Sequence, residues 1–432
     1  MPSAAPGPVQ ALRDLLARGD ISPRAAAEEA LARANSNASR NVFLSLDADA
    51  VVREADALPR KFGSGARPPL YGLPVALKDC FDLAGYSTSG GSRFYAALNG
   101  VAREDSTVAA RLRALGAIII GKTHLHQLAY GITGENPEYA DCVQPANSRL
   151  LTGGSSSGSA ASVQEGSAIA AIGTDTGGSI RAPAAFCGLA GYRASIDLAH
   201  QLGLWRGGMP LASSFDTLGW LFRDLRDAPL LGGALFGLSV PPAVDMNVRI
   251  GCVADDFMHD CEPVVLASFA QWREKLKDSG ARMTPVDTAF WGDAISIFAR
   301  IQASEAGAYH AANTGGDFSH FEKSIAERLA WGLSFRADEM ARLRQVHAAF
   351  RERVDTLLRE HDFLIAPCAP VAQLIVRADH SQTRGTILRY TSPLSLAGVP
   401  IITLPAAGGA GVQLIAARGD DARLLAYAAQ LS

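Results

Sequence analysis

The chain has 432 residues, 48% of them hydrophobic, and a formal net charge of −3. This length and apolar content suffice for a sizeable core, and large α/β sheets extend this far as one unit. The near-neutral charge gives no electrostatic reason to expect nucleic acid or an anionic membrane as a partner.

The spacing of the cysteines and the length of the apolar runs indicate the cellular compartment of the protein. The six cysteines are scattered, and no two of them form a C-x-x-C pair. This spacing predicts buried thiols in a reducing compartment and no zinc site. The N-terminus lacks the cationic segment and apolar core of a signal peptide, and no apolar run approaches the ~20 residues of a membrane span. We therefore expect a cytoplasmic protein without a bound metal or cofactor.

Short apolar runs, glycine turns and alanine-rich helices alternate from Tyr71 to Trp220, which is typical of a covered α/β sheet. Ser22-Pro23 has the composition of a helix cap and first helical position. A Gly/Pro/Arg loop over 63–69 precedes an apolar strand over 73–77, which delivers Lys78 into an expected buried environment. Further predicted elements are helices over 9–18, 24–34, 160–165, 263–279 and 337–361, a helix leading into a strand over 109–123, and strands over 248–253, 281–286 and 363–366.

Two glycine-rich segments with many hydroxyl groups, residues 153–159 and 173–181, carry Ser155 and Ser179. Glycines allow positive φ and close backbone approach, so amide N–H groups can converge on one point. A serine among such amides places a nucleophilic oxygen beside donors suited to an oxyanion. The first loop also opens a helix, and a helix N-terminus attracts anions.

The first glycine loop has other interpretations, the simplest being a flexible loop. A phosphate-binding loop requires a lysine after the glycines, and none follows here. Residues 154–158 match the G-x-S-x-G elbow of many esterases, with Ser156 as nucleophile. That elbow requires a strand directly before it and an acid and a histidine later in the chain. Because residues 144–152 are predicted to form a loop, we interpret the match as accidental.

Together these segments resemble the amidase signature family. Residues 78–85 are similar to the family's K-D-x-x-D-x-x-G pattern, and residues 181–188 to its R-x-P-A-x-x-x-G pattern. Residues 396–405 and 411–415 resemble its C-terminal strand motifs, so the resemblance covers nearly the whole chain in the family's order. Residues 194–203 depart from the P-T-x-G-x-V-S sequence that often follows in the family, so no single member's substrate is carried over.

The resemblance implies an α/β fold with a single large mixed central β-sheet flanked by α-helices on both sides. Residues 1–432 are then one amidase signature domain. The pattern of residue types changes at Pro241-Pro242, so a subdomain edge is expected near residue 240.

The resemblance also implies a Ser–cisSer–Lys catalytic unit. Ser179 is the expected nucleophile and Lys78 the expected base, which must be neutral to accept a proton; burial favours that form. Ser155, preceded by a cis peptide bond in the family, passes the proton between them. The expected oxyanion donors are the backbone N–H groups of Thr176, Gly177, Gly178 and Ser179.

Other residues receive roles by matching position in the family. Ala129 and Tyr130 are expected to line the substrate pocket opposite the nucleophile. Three charged residues beside the catalytic segments are expected to order the loops rather than to react: Asp79, Asp175 and Arg181.

Several side chains near these segments have more ordinary interpretations. Lys122, at the end of a predicted strand, is expected to be a solvated charge. Ser156 and Ser157 are expected to form hydrogen bonds within their loop. An apolar pocket wall, or alternatively core, is predicted from Trp205, Met209 and Phe215.

The predicted function is hydrolysis of a small-molecule carboxamide to a carboxylate and ammonia through an acyl-enzyme. Residues 126–137 and 214–220 resemble the small-amide branch related to indole-acetamide hydrolases. Arg384 and Arg389 flank a predicted loop and suit either a substrate carboxylate or solvent. An arylacetamide and a carboxylated amide or urea therefore both remain open, as does a homodimer.

Four alternatives remain. One is the amidase component of a glutamine-dependent tRNA amidotransferase, its A subunit, which has the same catalytic motifs. Another is a non-catalytic amidase-like interaction domain, against which the retained Lys78, Ser155 and Ser179 argue. The third is an esterase that uses Ser156, and the fourth is a Ser-His-Asp hydrolase, for which no histidine lies in a recognisable motif.

Overall fold

A computed structural model of the chain describes residues 5–63 and 65–432. Residues 1–4, at the start of the predicted domain, and Ser64, inside the predicted loop over 63–69, lie outside the described residues.

The strands in chain order are β1 (Phe43–Ser45), β2 (Pro74–Lys78), β3 (Ile118–Thr123), β4 (Val143–Gln144), β5 (Asn147–Leu151), β6 (Ala170–Asp175), β7 (Ala190–Arg193), β8 (Thr217–Phe222), β9 (Arg249–Val253), β10 (Arg282–Val286), β11 (Phe363–Pro367), β12 (Ile401–Leu404) and β13 (Val412–Ile415). The α-helices are α1 (Pro8–Arg18), α2 (Pro23–Ser36), α3 (Ala48–Phe62), α4 (Arg93–Asn99), α5 (Thr107–Ala114), α6 (Ser157–Glu165), α7 (Arg181–Phe186), α8 (Ile196–Gln201), α9 (Ala228–Phe236), α10 (Pro263–Asp278), α11 (Ala294–Thr314), α12 (Lys323–Leu333), α13 (Ala337–Glu360), α14 (Thr383–Ala397) and α15 (Asp421–Gln430).

Eleven strands form one sheet in the order β1-β3-β2-β6-β8-β7-β12-β13-β11-β9-β10. The pairs β3–β2, β2–β6, β11–β9 and β9–β10 are parallel, and the remaining pairs are antiparallel. The sheet is therefore mixed, and helices flank it on both sides, which confirms the predicted fold class. No helix in the described ranges is both long enough and apolar enough to cross a membrane.

The central strands are buried on both faces. Along β2, Ala76 packs into a small alanine-rich core with α6 and α7, whereas Val75 and Leu77 pack into the main core on the other face. Alternate side chains of a strand point to opposite faces, which explains this division. Small residues on the first face let α6 approach the sheet closely, and the N-terminus of α6 thereby comes close to the end of β2.

The helix and strand predictions are confirmed to within a few residues at their ends. Ser22 caps α2, since its hydroxyl oxygen accepts a hydrogen bond from Ala25 N. Residues 249–253, 282–286 and 363–367 are strands, and residues 263–278 and 337–360 are helices.

Two predicted loops are wrong. The segment over 144–152 contains the second residue of β4 and all of β5, which pair as an antiparallel ribbon outside the main sheet. The segment between Arg384 and Arg389 is helical and belongs to α14. In α14, tertiary packing overrides weak local preferences, because its Thr- and Ser-containing sequence is covered by neighbouring elements over most of its length.

Residue 240 lies in the connection between α9 and β9, and the sheet contains strands from both sides of this connection. A single domain with a subdomain edge near this point stays a prediction.

Candidate active site

Lys78, the last residue of β2, extends its amine into a fully buried cluster of hydroxyl groups. Its Nζ lies 2.7 Å from Ser155 Oγ, 3.0 Å from Ser156 Oγ and 2.7 Å from Thr174 Oγ1. Among residues 5–63 and 65–432, no carboxylate forms an ion pair with this amine. A charge without a partner at this depth is costly, so the surroundings favour the neutral amine.

The protonation of Lys78 follows from this environment. Burial lowers the pKa of the Lys78 amine to about 8, although the charges of Cys80, Asp175 and Asp216 act in the opposite direction. With this pKa, about a tenth of the amine is neutral at pH 7, and the neutral fraction rises with pH.

The hydroxyl cluster limits which group can give Lys78 a proton. The Ser156 hydroxyl donates to Thr174 O at 3.2 Å, so it accepts from Lys78 rather than donating to it. Ser155 and Thr174 are left as hydroxyls whose protons can point at the amine nitrogen. A neutral amine with two N–H groups and one lone pair then satisfies all three contacts.

Ser155 is held by its backbone. The Gly154–Ser155 peptide is cis, as the family resemblance implies. Gly154 N donates to Ile132 O at 2.8 Å, and His126 N donates to Ser155 O at 3.2 Å. A Cβ on Gly154 would lie 2.8 Å from Gly134 N, so a larger residue does not fit there. The Ser155 hydroxyl is thus positioned against Lys78 by a loop with little freedom.

Ser179 lies beside this cluster with a small exposed fraction of 5%. Its carbonyl oxygen accepts a hydrogen bond from Ser156 N at 3.2 Å, which joins the two glycine loops. Within the described residues, its hydroxyl makes no hydrogen bond, and the Ser155 hydroxyl contacts only Lys78. The hydroxyls of the two serines in the predicted relay are therefore not hydrogen-bonded to each other in this structure.

The backbone before Ser179 presents unused donors. Gly178 N, one of the predicted oxyanion donors, instead donates to Asp175 Oδ1 at 2.9 Å. The N–H groups of Thr176, Gly177 and Ser179 have no acceptor in the described part of the chain. The arrangement offers these three amides to an oxyanion, and Gly178 supports the loop.

Asp175 is the anchor of this loop. Its carboxylate accepts hydrogen bonds from the backbone of Ile180 and Arg181 and from the guanidinium groups of Arg181 and Arg193. Burial alone would raise its pKa, but the two guanidinium groups hold the pKa of Asp175 well below its usual range. Asp175 and Arg181 thus have the geometry expected of residues that order the loop.

Lys122 is not solvated, contrary to the prediction. It is fully buried on β3, and its amine lies 2.5 Å from Asp79 Oδ1. Asp79 also accepts a hydrogen bond from Ser89 N at 3.1 Å. A strand-end lysine is usually exposed, but here the residue next to Lys78 supplies a buried counter-charge, which offsets the cost of burial.

The predicted pocket residues Ala129 and Tyr130 follow His126 in a tight turn, where Ala129 has φ of 56°. The Tyr130 ring is buried beneath the guanidinium groups of Arg328 and Arg384. A cavity of about 750 Å³ lies beside this turn and is bordered by both arginines and His126, but neither Ala129 nor Tyr130 borders it. Their role in the substrate pocket stays a prediction.

Other candidates lie elsewhere. The rings of Phe215 and Trp205 pack in the core against Phe298 and Phe81 respectively, and Met209 is buried. Arg389 binds Asp260 on a different cavity, one lined by Phe257, Trp291 and Asp287, among others. No group of three or more His, Cys, Asp or Glu side chains in the described ranges is arranged to hold a metal ion.

Sequence reasoning did not identify Thr174 or Arg328. Thr174 lies two residues before Thr176 in the same glycine segment, so the motif contained it without marking it. Arg328, on α12, belongs to no motif, and only its contact with Tyr130 reveals it.

Comparisons with known proteins identify the family of this chain. The Amidase family model matches residues 25–425. AtzE, a 1-carboxybiuret hydrolase component of Pseudomonas sp. (strain ADP), is 30% identical, over 95% of this chain and 94% of its own length. The A subunit of the glutamyl-tRNA(Gln) amidotransferase of Geobacter sulfurreducens is also 30% identical, over 91% and 89%. A crystal structure of an amidase superposes with a TM-score of 0.89 at 32% identity and covers 98% of both chains.

The fold and the buried hydroxyl–lysine cluster define a hydrolase with a mixed α/β fold that acts on amides. The chain belongs to the amidase signature family and is an amidohydrolase acting on linear amide C–N bonds. This sets aside the non-catalytic alternative, while the narrower resemblance to indole-acetamide hydrolases stays a prediction.

Proposed function

We propose that the enzyme hydrolyses a small carboxamide through an acyl-enzyme on Ser179, with Lys78 as the base and Ser155 as the relay. The contact of 2.7 Å between the Lys78 amine and the Ser155 hydroxyl carries this proposal. A free serine hydroxyl is a weak nucleophile and requires a base, and the unpaired buried lysine supports that role.

The reaction begins when Ser179 Oγ attacks the amide carbonyl carbon. Its proton moves to Ser155 while the Ser155 proton moves to Lys78. The oxyanion of the tetrahedral intermediate accepts hydrogen bonds from the N–H groups of Thr176, Gly177 and Ser179, which stabilise the developing charge. We infer that the hydroxyls of Ser179 and Ser155 become hydrogen-bonded when substrate binds, since such bonds often tighten only in the complex.

The second half of the reaction regenerates the enzyme. The proton returns through Ser155 to the leaving nitrogen, the C–N bond breaks and ammonia departs. Water then attacks the acyl-enzyme, with Lys78 again accepting a proton through Ser155. The C–O bond to Ser179 breaks as the proton returns from Lys78 through Ser155 to Ser179 Oγ, and the carboxylic acid product ionises to the carboxylate as it leaves.

The similarity to the amidase components of tRNA amidotransferases supports a second candidate, in which the same site releases ammonia within a larger assembly. The two candidates differ in their dependence on partners. Purified chain alone should release ammonia from small amides if it is a free-standing amidase. Co-purifying subunits and a glutaminase activity that depends on them would favour the second candidate.

A fluorophosphonate probe tests the nucleophile directly, because it labels activated serines. We expect peptide mapping to place the label on Ser179. A label on Ser156 would favour the esterase alternative. A cytoplasmic location and a homodimer stay predictions, and gel filtration would measure the oligomeric state.

A further inference from the structure

Two arginines lie over the same aromatic ring, that of Tyr130, next to the proposed active site. The guanidinium carbons of Arg328 and Arg384 lie 4.3 Å and 5.7 Å from the centroid of Tyr130. Both arginines border the cavity of about 750 Å³ that reaches His126, whose N–H holds the Ser155 carbonyl. His126 thus connects the cavity bordered by the arginine pair to the loop that carries Ser155, although no residue of that loop borders the cavity itself.

The donors of Arg384 are mostly unused. A guanidinium has five N–H groups, and Arg384 donates one of them, to Gln302 Oε1 at 3.3 Å. Arg328 donates to Tyr130 O at 2.8 Å and to Ser324 O at 2.9 Å. Within the described residues neither guanidinium forms an ion pair with a carboxylate. Burial, and then the charge of Arg328, lower the pKa of Arg384 to about 9. An anion between the two cations would offset this repulsion.

Helix α14 relates Arg384 to the proposed oxyanion loop. Thr391 on this helix donates to Gly177 O at 2.5 Å. Leu388 also reaches this loop, with Cδ2 3.2 Å from the position a Cβ on Gly177 would occupy. Arg384 precedes Leu388 by four residues and shares its helix face, which places it roughly 6 Å further along the helix axis.

Helix α11 also contacts both the proposed oxyanion loop and Arg384. Phe298 meets the same side of Gly177, with Cζ 2.7 Å from the position of that Cβ. Gln302, one turn later on α11, accepts the hydrogen bond from Arg384. On both α14 and α11, the residue that contacts the Ser179 loop and the residue at the Arg384 guanidinium are therefore one helical turn apart.

We propose that Arg384, with Arg328 beside it, binds the carboxylate of an anionic amide whose carbonyl lies at the Ser179 loop. The inference rests on the proposed function and specifies its substrate class, a short carboxylated amide or urea rather than an arylacetamide. The spacing suits a carboxylate a few bonds from the scissile carbonyl. Five acidic residues also border the cavity: Glu135, Asp141, Glu322, Glu327 and Asp379. Their charge opposes an anion more strongly the more charges it carries, so the proposed substrate has a single carboxylate, which contacts the two guanidinium groups.

Calorimetric titration of the Ser179→Ala protein tests binding without turnover. The probes are malonamate, succinamate and glutaramate, each compared with the uncharged alkyl amide of equal length. We expect at least one of the three anions to bind about tenfold or more tightly than its uncharged partner, as a charge-assisted bidentate contact would produce. Adding Arg384→Met should remove most of that preference, and Arg384→Lys should restore part of it.

Arg389→Met is the matched control, because Arg389 lies on the same helix but binds Asp260 on another cavity. It should preserve the anion preference. The proposal is overturned if all three anions bind no better than their uncharged partners. It is equally overturned if Arg384→Met weakens charged and uncharged ligands alike. If Ser179→Ala still releases ammonia, the proposed nucleophile has failed, and that result is separate from the anion preference.

Discussion

The amine of Lys78 and the hydroxyl of Ser155 lie 2.7 Å apart in the protein interior. Two other hydroxyls, those of Ser156 and Thr174, complete the surroundings of the amine. A lysine surrounded by neutral oxygens alone keeps a lowered pKa, whereas a nearby carboxylate would restore its charge. The neutral amine that the proposed mechanism requires is therefore favoured by the absence of a carboxylate bound to Lys78 as well as by burial among hydroxyl groups.

The rate should rise with pH through the ionisation of Lys78. With a pKa of about 8, the ammonium form predominates below that pH and cannot accept a proton. We expect kcat/KM to increase about tenfold from pH 7 to a plateau above pH 9. Lys78→Ala should lose most activity together with this ionisation, and Lys78→Arg should not rescue it, because guanidinium stays protonated. A pH profile of residual activity that keeps the same ionisation in Lys78→Ala would identify another base.

Replacing the serines should rank them by role. Ser179→Ala should lower kcat by about 10⁴-fold or more, since no other group can form the acyl-enzyme. Ser155→Ala should lower it less, because water can replace part of a proton relay. Steady-state ammonia release measures both, with circular dichroism to check folding. Turnover by Ser179→Ala above a few per cent of wild type would contradict the assignment.

Ser156→Ala is the matched control within the same loop. Its hydroxyl accepts from Lys78 but donates to Thr174 O, so it is not in the path of the proton. We expect a mild effect on kcat. Complete loss in this variant, with Ser179→Ala active, would favour the esterase alternative.

A methyl group at Gly177 should disturb the oxyanion loop. Its Cβ would lie 2.7 Å from Phe298 Cζ, too close for both groups to keep their positions. We expect Gly177→Ala to lower kcat by about 10²-fold, the usual result of a displacement near 1 Å. The double variant Gly177→Ala/Phe298→Leu should recover part of this loss. No recovery, measured with the same amide, would mean that the steric contact is not the cause.

The pair formed by Lys122 and Asp79 should matter for stability. Removing one partner leaves a buried charge, which costs about 3–5 kcal/mol. Lys122→Met should therefore lower the thermal unfolding midpoint, and the double variant Lys122→Met/Asp79→Asn should recover part of the loss. Lys323→Met, at an amine whose side chain is 90% exposed, is the control and should have little effect. Equal midpoints for wild type and Lys122→Met would show that the pair contributes nothing.

Much of the site could be predicted from local sequence. The apolar run before Lys78 predicted its burial, because a strand with no polar residue has no solvated face. The glycines around Ser155 and Ser179 predicted close backbone approach, because these conformations depend on the residue itself. The alternation of short apolar runs, glycine turns and alanine-rich helices indicated an α/β sheet, and the family resemblance implied the single large mixed sheet.

Contacts between distant segments could not be predicted in this way. Lys78 and Lys122 both lie at or next to the end of a buried strand, and the sequence does not show that Asp79 pairs with Lys122 and leaves Lys78 without a partner. The same holds for Arg328, Tyr130 and Arg384, which come from three separate elements. Charge state depends on groups within a few ångströms, and only the folded chain brings those groups together. Local sequence thus determined which residues are buried and where the backbone turns, and the tertiary structure decided which lysine has a carboxylate partner and which arginines border the cavity.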